Sequence, residues 1–105
     1  MTAVNINGYD YKIISDITID ELTKQNPEFG KRLVGLCNMT NKEIFVTEDH
    51  GERVSTLIHE IIEAINREYK IGLTHHWKVN RLERALYDLL VNQLKIDLTY
   101  LLDGD

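Results

Sequence analysis

The chain has 105 residues, 43% of them hydrophobic and 28% charged, which is the size and make-up of one globular domain. Its net charge of −5, with acidic and basic residues interspersed, argues against nucleic acid as a partner, because a phosphate backbone is held by clusters of Lys and Arg. No apolar run approaches a membrane span, the start Met1-Thr2-Ala3-Val4-Asn5 lacks the pattern of a signal peptide, and the single Cys37 argues for a reducing, cytoplasmic setting.

Residues 4–14 read as a β-hairpin, with Asn7-Gly8 supplying the positive φ values of a type I′ turn. Thr18-Ile19-Asp20-Glu21 fits a capping box that opens a short helix to about Asn26. Pro27 closes it, because the residue before a proline avoids helical geometry. A second hairpin is expected from residues 32–37 and 43–47, with residues 38–42 as its loop. From about Glu52 the apolar period becomes helical, through Val54, Ile58, Ile61, Ile62, Ile65 and Tyr69. His59, Glu63 and Asn66 share an adjoining face. Gly72 is the expected stop, and Thr74 the expected N-cap of a second long helix. That helix carries Val79, Leu82, Leu86, Leu89, Leu90 and Leu94 as its stripe, with His76, Asn80, Glu83 and Tyr87 on one face. The tail from Lys95 reads as one more short helix around residues 98–102. No linker or repeat divides the chain, so residues 1–105 form one domain. Its expected fold class is α+β: a small antiparallel sheet of two hairpins packed on two long antiparallel helices.

The chemistry concentrates in His59-Glu60-Ile61-Ile62-Glu63, which lies one residue from HExxH, the signature helix of zinc peptidases. In HExxH the two His at i and i+4 bind zinc, and the Glu beside the first His is the general base. Here the i+4 position is Glu63, about 6 Å from His59 along one helical face. Carboxylates also bind zinc, and a His from His75-His76 would complete a two-imidazole, one-carboxylate set. His76 is preferred because it shares a face with Asn80 and Glu83, and the segment of residues 69–74 lets it fold back towards His59. Glu83, with Asn80 beside it, is placed to hydrogen-bond a ligand imidazole from outside and fix its tautomer.

Each of these residues also has a plain structural reading. His59 and Glu63 make a hydrogen-bonded pair on an amphipathic helix. Glu60 is a solvated carboxylate near Arg67 or Arg53, and Glu83 pairs with Arg84 or Arg81. His50 is a solvated loop residue, and Cys37 a small core residue.

The succession of a strand pair, the HEIIEAIN helix and HHWKVNRLERALYDLL resembles a group of small phage and prophage proteins described as metallopeptidases with a minimal zincin-like fold. Many of those look like HExxH followed by an acidic ligand on the next helix, the gluzincin arrangement. A subset looks like HEIIEAIN followed by a His and LExxLYQVL, which this chain is similar to at residues 59–66, at His76 and at residues 82–87. The likeness spans roughly residues 32–94. It implies a zinc ion (Zn2+) on His59, Glu63 and His76, with His and Glu exchanged relative to the gluzincin order. It also implies hydrolysis of a peptide or protein by a zinc-activated water, with Glu60 as general base handing the proton to the leaving amine. The strand of residues 43–47 is then the expected edge on which an extended peptide adds. Tyr87, His75 and His50 are unranked candidates for the oxyanion donor. The competing expectation is a non-catalytic phage protein-binding module in which the metal is structural or lost.

Overall fold

The structure is a computed structural model that describes residues 2–103. β1 (Ala3–Ile6) and β2 (Tyr9–Ile14) form the first hairpin, turning through Asn7 at φ 50° and Gly8 at φ 90°. α1 (Ile19–Gln25) opens on the expected capping box. Thr18 accepts from the Glu21 N–H at 3.1 Å, and the Glu21 carboxylate accepts from the Thr18 N–H at 3.2 Å. A 3-10 turn at Pro27–Phe29 follows. β3 (Gly35–Asn38) and β4 (Glu43–Val46) make the second hairpin. α2 (Arg53–Glu68) and α3 (His76–Tyr87) complete the main elements. α3 runs on into a π-helical turn at Asp88–Gln93, and a 3-10 turn closes the described chain at Thr99–Leu102.

The fold is α+β with two hairpins, but the sheet is mixed rather than antiparallel. Its strand order is β1-β2-β4-β3, and β2 and β4 run parallel with Ile13 opposite Ile44. Parallel neighbours need a crossover, and the segment carrying α1 and β3 supplies it. This also overturns the expectation that residues 43–47 form an edge. β4 lies inside the sheet, and β3 is the edge beside it. The apolar run Ile44-Phe45-Val46 fits a strand covered on both faces. Ile44 and Val46 join Tyr11, Ile13, Leu57 and Ala64 on the α2 side, while Phe45 joins Ile14, Leu36 and Leu22 on the α1 side.

α2 is enclosed from two directions. Leu57 and Ala64 face the sheet, whereas Ile58 and Ile62 meet Val79 of α3. Its buried arc is therefore wider than one stripe. Tyr69, expected in that stripe, is 55% exposed. On α3 only Val79 is buried and Leu82 stands in solvent, as do Leu89 and Leu94 beyond the end of the helix. The N-cap of α3 is His75 rather than Thr74. Leu101 and Leu102 return to the core beneath the sheet, where Ser15 donates to the Leu102 carbonyl at 2.7 Å. Among the described residues no helix is long and apolar enough to cross a membrane.

Candidate metal centre

The helical repeat of α2 places Ser55, His59 and Glu63 one turn apart on a single face. Side-chain exposures of 15% for His59 and 27% for Glu63 leave the face open enough for an ion to reach it. α3 comes to this face because the connection is clasped. Asn66 donates to the Leu73 carbonyl at 2.9 Å and accepts from the Leu73 N–H at 2.8 Å. Between them the chain turns through Lys70 at φ 52° and Gly72 at φ 84°, a backbone geometry that glycine adopts without a Cβ clash. Leu73 anchors with Ile58, Ile62 and Val79, and His76 then opens α3 above His59.

The rings of His59 and His76 lie 5.0 Å apart. Ligand-type atoms of His59, Glu63 and His76 all fall within 4.8 Å of one another. His59 Nε2 is 3.7 Å from Glu63 Oε1. Tetrahedral zinc with bonds near 2.1 Å sets its ligand atoms roughly 3.4 Å apart, so small side-chain movements bring these groups onto one ion. The opposite ring nitrogen is already engaged: His59 Nδ1 lies 2.8 Å from Glu83 Oε1, and Ser55 Oγ donates to Glu83 Oε2. A proton on Nδ1 donated to the carboxylate leaves the Nε2 lone pair facing Glu63 and His76, the tautomer a metal ligand needs. Glu83 thus meets neither Arg84 nor Arg81 in an ion pair among the described residues. Asn80 is half-buried on α3 and makes no side-chain hydrogen bond to this group among the described residues.

Glu60 is not solvated. It is 9% exposed and lies on the sheet side of α2 against β3. A Cβ at Gly35 would come within 2.9 Å of Glu60 Oε2 and 2.5 Å of Thr56 Cγ2, so only glycine lets the strand pass this closely. Burial pushes the Glu60 carboxyl up to about 8, the charges of Glu63 and Glu83 push in the same direction, and Lys31 opposes them. Arg53, its expected neighbour, instead donates to the carbonyls of Thr47 and Ser15. Burial also drives the Cys37 thiol up to about 12, helped by Glu60 and Glu63. His75 is exposed and stacks on Trp77, and His50 sits in the loop before α2. A cavity of about 660 Å³ opens beside Ser55, Glu83 and Tyr87 but does not include His59, Glu60, Glu63 or His76.

The sequence reading left out Ser55 and gave Asn66 no partner. Ser55 carried a usable signal, four residues before His59 on the same face. The Asn66 clasp had none, because its partner is backbone. Comparison with family models, with curated proteins and with solved structures finds no match to this chain.

Proposed function

We propose that the chain is a small zincin-like metalloprotein that holds one divalent ion, zinc by donor chemistry, on His59, Glu63 and His76, and that it hydrolyses peptide bonds there. The observation that carries this reading is the buttressed imidazole. His59 faces two further ligand-type groups with Nε2, while Glu83 and Ser55 hold its other side. In this reading α2 and α3 form an antiparallel pair on the sheet, a minimal zincin-like arrangement.

A zinc ion on such a set supplies Lewis acidity and makes water more acidic. The chain's own groups do the rest. Glu60, next to His59 in sequence, would be the general base that takes a proton from water and hands it to the departing amine once it has given up the proton that its burial favours below about pH 8. β3, the sheet edge that passes over Glu60 at Gly35, offers its backbone to an extended peptide. Glu83 keeps the His59 ring in place. Neither Tyr87, His75 nor His50 is distinguished as an oxyanion donor.

One observation favours the alternative, a non-catalytic protein-binding module with a structural metal: the carboxylate of Glu60 is packed against strand β3. Elemental analysis of protein purified without added metal or chelator tests the ion, with about one zinc per chain expected. His59→Ala and His76→Ala should lose it and His75→Ala should keep it. A native protein that neither contains nor accepts metal overturns the site. Peptide-library cleavage by zinc-loaded wild-type and Glu60→Gln protein separates enzyme from module. Loss of general-base help typically costs 10²- to 10⁴-fold in rate, and equal turnover by the two proteins removes Glu60 from the chemistry.

A further inference from the structure

Beyond His76, α3 carries an aromatic ledge that the metal reading does not use. Trp77 is 53% exposed, yet its ring is held by neighbours. Arg81 Cζ lies 4.9 Å from the ring centroid, Lys78 Nζ 5.6 Å, and the His75 ring stacks at 6.3 Å with an interplanar angle of 22°. Leu82, 41% exposed, follows Arg81 on the same helix. Trp and Arg are both enriched among the residues that dominate binding energy at protein interfaces.

The segment of chain that carries the ledge has a charge opposite to that of the whole sequence. From residue 69 to residue 82 there is no Asp or Glu, while Lys70, Lys78 and Arg81 contribute +3. With a net charge of −5, the rest of the chain stands at −8. Two cations at one Trp are too few to follow a phosphate backbone, which takes one contact per neutralised phosphate, and the acidic remainder repels a long polyanion. A short acidic segment of polypeptide fits better. Its carboxylates meet Lys78 and Arg81, and its apolar side chains meet Trp77.

We propose that the Trp77 ledge of α3 is a docking surface for an acidic polypeptide segment. It stands independently of the metal reading, because none of its residues is a proposed ligand; should that reading also hold, the segment docks next to His76.

Trp77 is the single tryptophan of the chain, so its emission reports occupancy directly. The probe is a Glu- and Leu-rich peptide, run against its Gln and Lys counterparts, oligo(dT) and anionic lipid vesicles, with and without chelator. The expected result is a saturable change with the Glu peptide, unaffected by chelator and weakened as salt rises from about 0.05 M to about 0.5 M. In the double variant Lys78→Gln/Arg81→Gln, anisotropy of the labelled peptide should show binding about fivefold or more weaker, with circular dichroism unchanged because both side chains are exposed. No saturable change, equal affinity for the Gln peptide, tighter binding of oligo(dT) or vesicles, or full binding by the double variant overturns the proposal.

Discussion

A carboxylate at position 60 has little water around it, and two further carboxylates stand close by. Its pKa of about 8 lies above the ordinary 4.5 of the unfolded chain, so the folded state prefers the protonated form. The stability this group allows is therefore fully present below about pH 4.5 and is lost as pH rises towards 8, by roughly 1.4 kcal/mol per pH unit. Glu60→Gln removes the ionisation. In metal-free protein it should flatten the fall in urea midpoint between those limits, and the same slope in both proteins would contradict the burial argument. Cys37 makes a matching case. With its thiol pushed up to about 12, it should react slowly with a thiol reagent at pH 8 in native protein and rapidly in urea. Rapid native labelling would show that the strand is open. The chemical identity of both residues is plain in the sequence. Their weakened acidity is not, because it depends on burial between elements, for Glu60 where β3 passes over α2 at Gly35.

Among the elements, the join between α2 and α3 governs the candidate site. Asn66→Ala removes both hydrogen bonds to Leu73, which should cost about 1–3 kcal/mol, since it leaves backbone groups without partners. Gly72→Ala forces a Cβ into a left-handed backbone at φ 84°, at a cost of about 1–2 kcal/mol. Under the metal reading both changes should also weaken zinc binding, because they free His76 from His59. Urea unfolding and zinc titration of the two variants check this; unchanged zinc affinity in a folded but destabilised Asn66→Ala would show that the clasp does not position His76. Several elements were legible because their signals are local. The Asn7-Gly8 turn and the Thr18/Glu21 capping box each depend on residues within one turn of one another, whereas α2 stops before the expected Gly72, at the C-cap Tyr69 with Lys70 left-handed after it. The α3 stripe misled, because periodicity shows a helix's apolar face but not whether anything covers it. Leu82 and Leu89 stay exposed.

For the molecule as a whole, a three-ligand site drawn from two helices ties metal binding to folding, since the unfolded chain holds no preformed site. A ligand at a hundredfold its dissociation constant stabilises by about 2.7 kcal/mol. Adding a strong chelator should therefore lower the melting temperature of the wild-type protein but not that of His59→Ala. Acid should lower it too, as the imidazoles take up protons. An unchanged wild-type melt would mean that no ion supports the fold. The sequence by itself determined the α+β class, the two hairpins and the pairing of His59 with Glu63 at one-turn spacing, because each follows from backbone geometry over a few residues. Only the tertiary structure decided that β4 lies inside a mixed sheet, that Glu60 is buried under β3, and that Glu83 and Ser55 hold His59 while Asn66 brings His76 to it. The physical reason is that these outcomes rest on contacts between segments far apart in the chain, and no local spacing encodes which strand or helix will lie beside another.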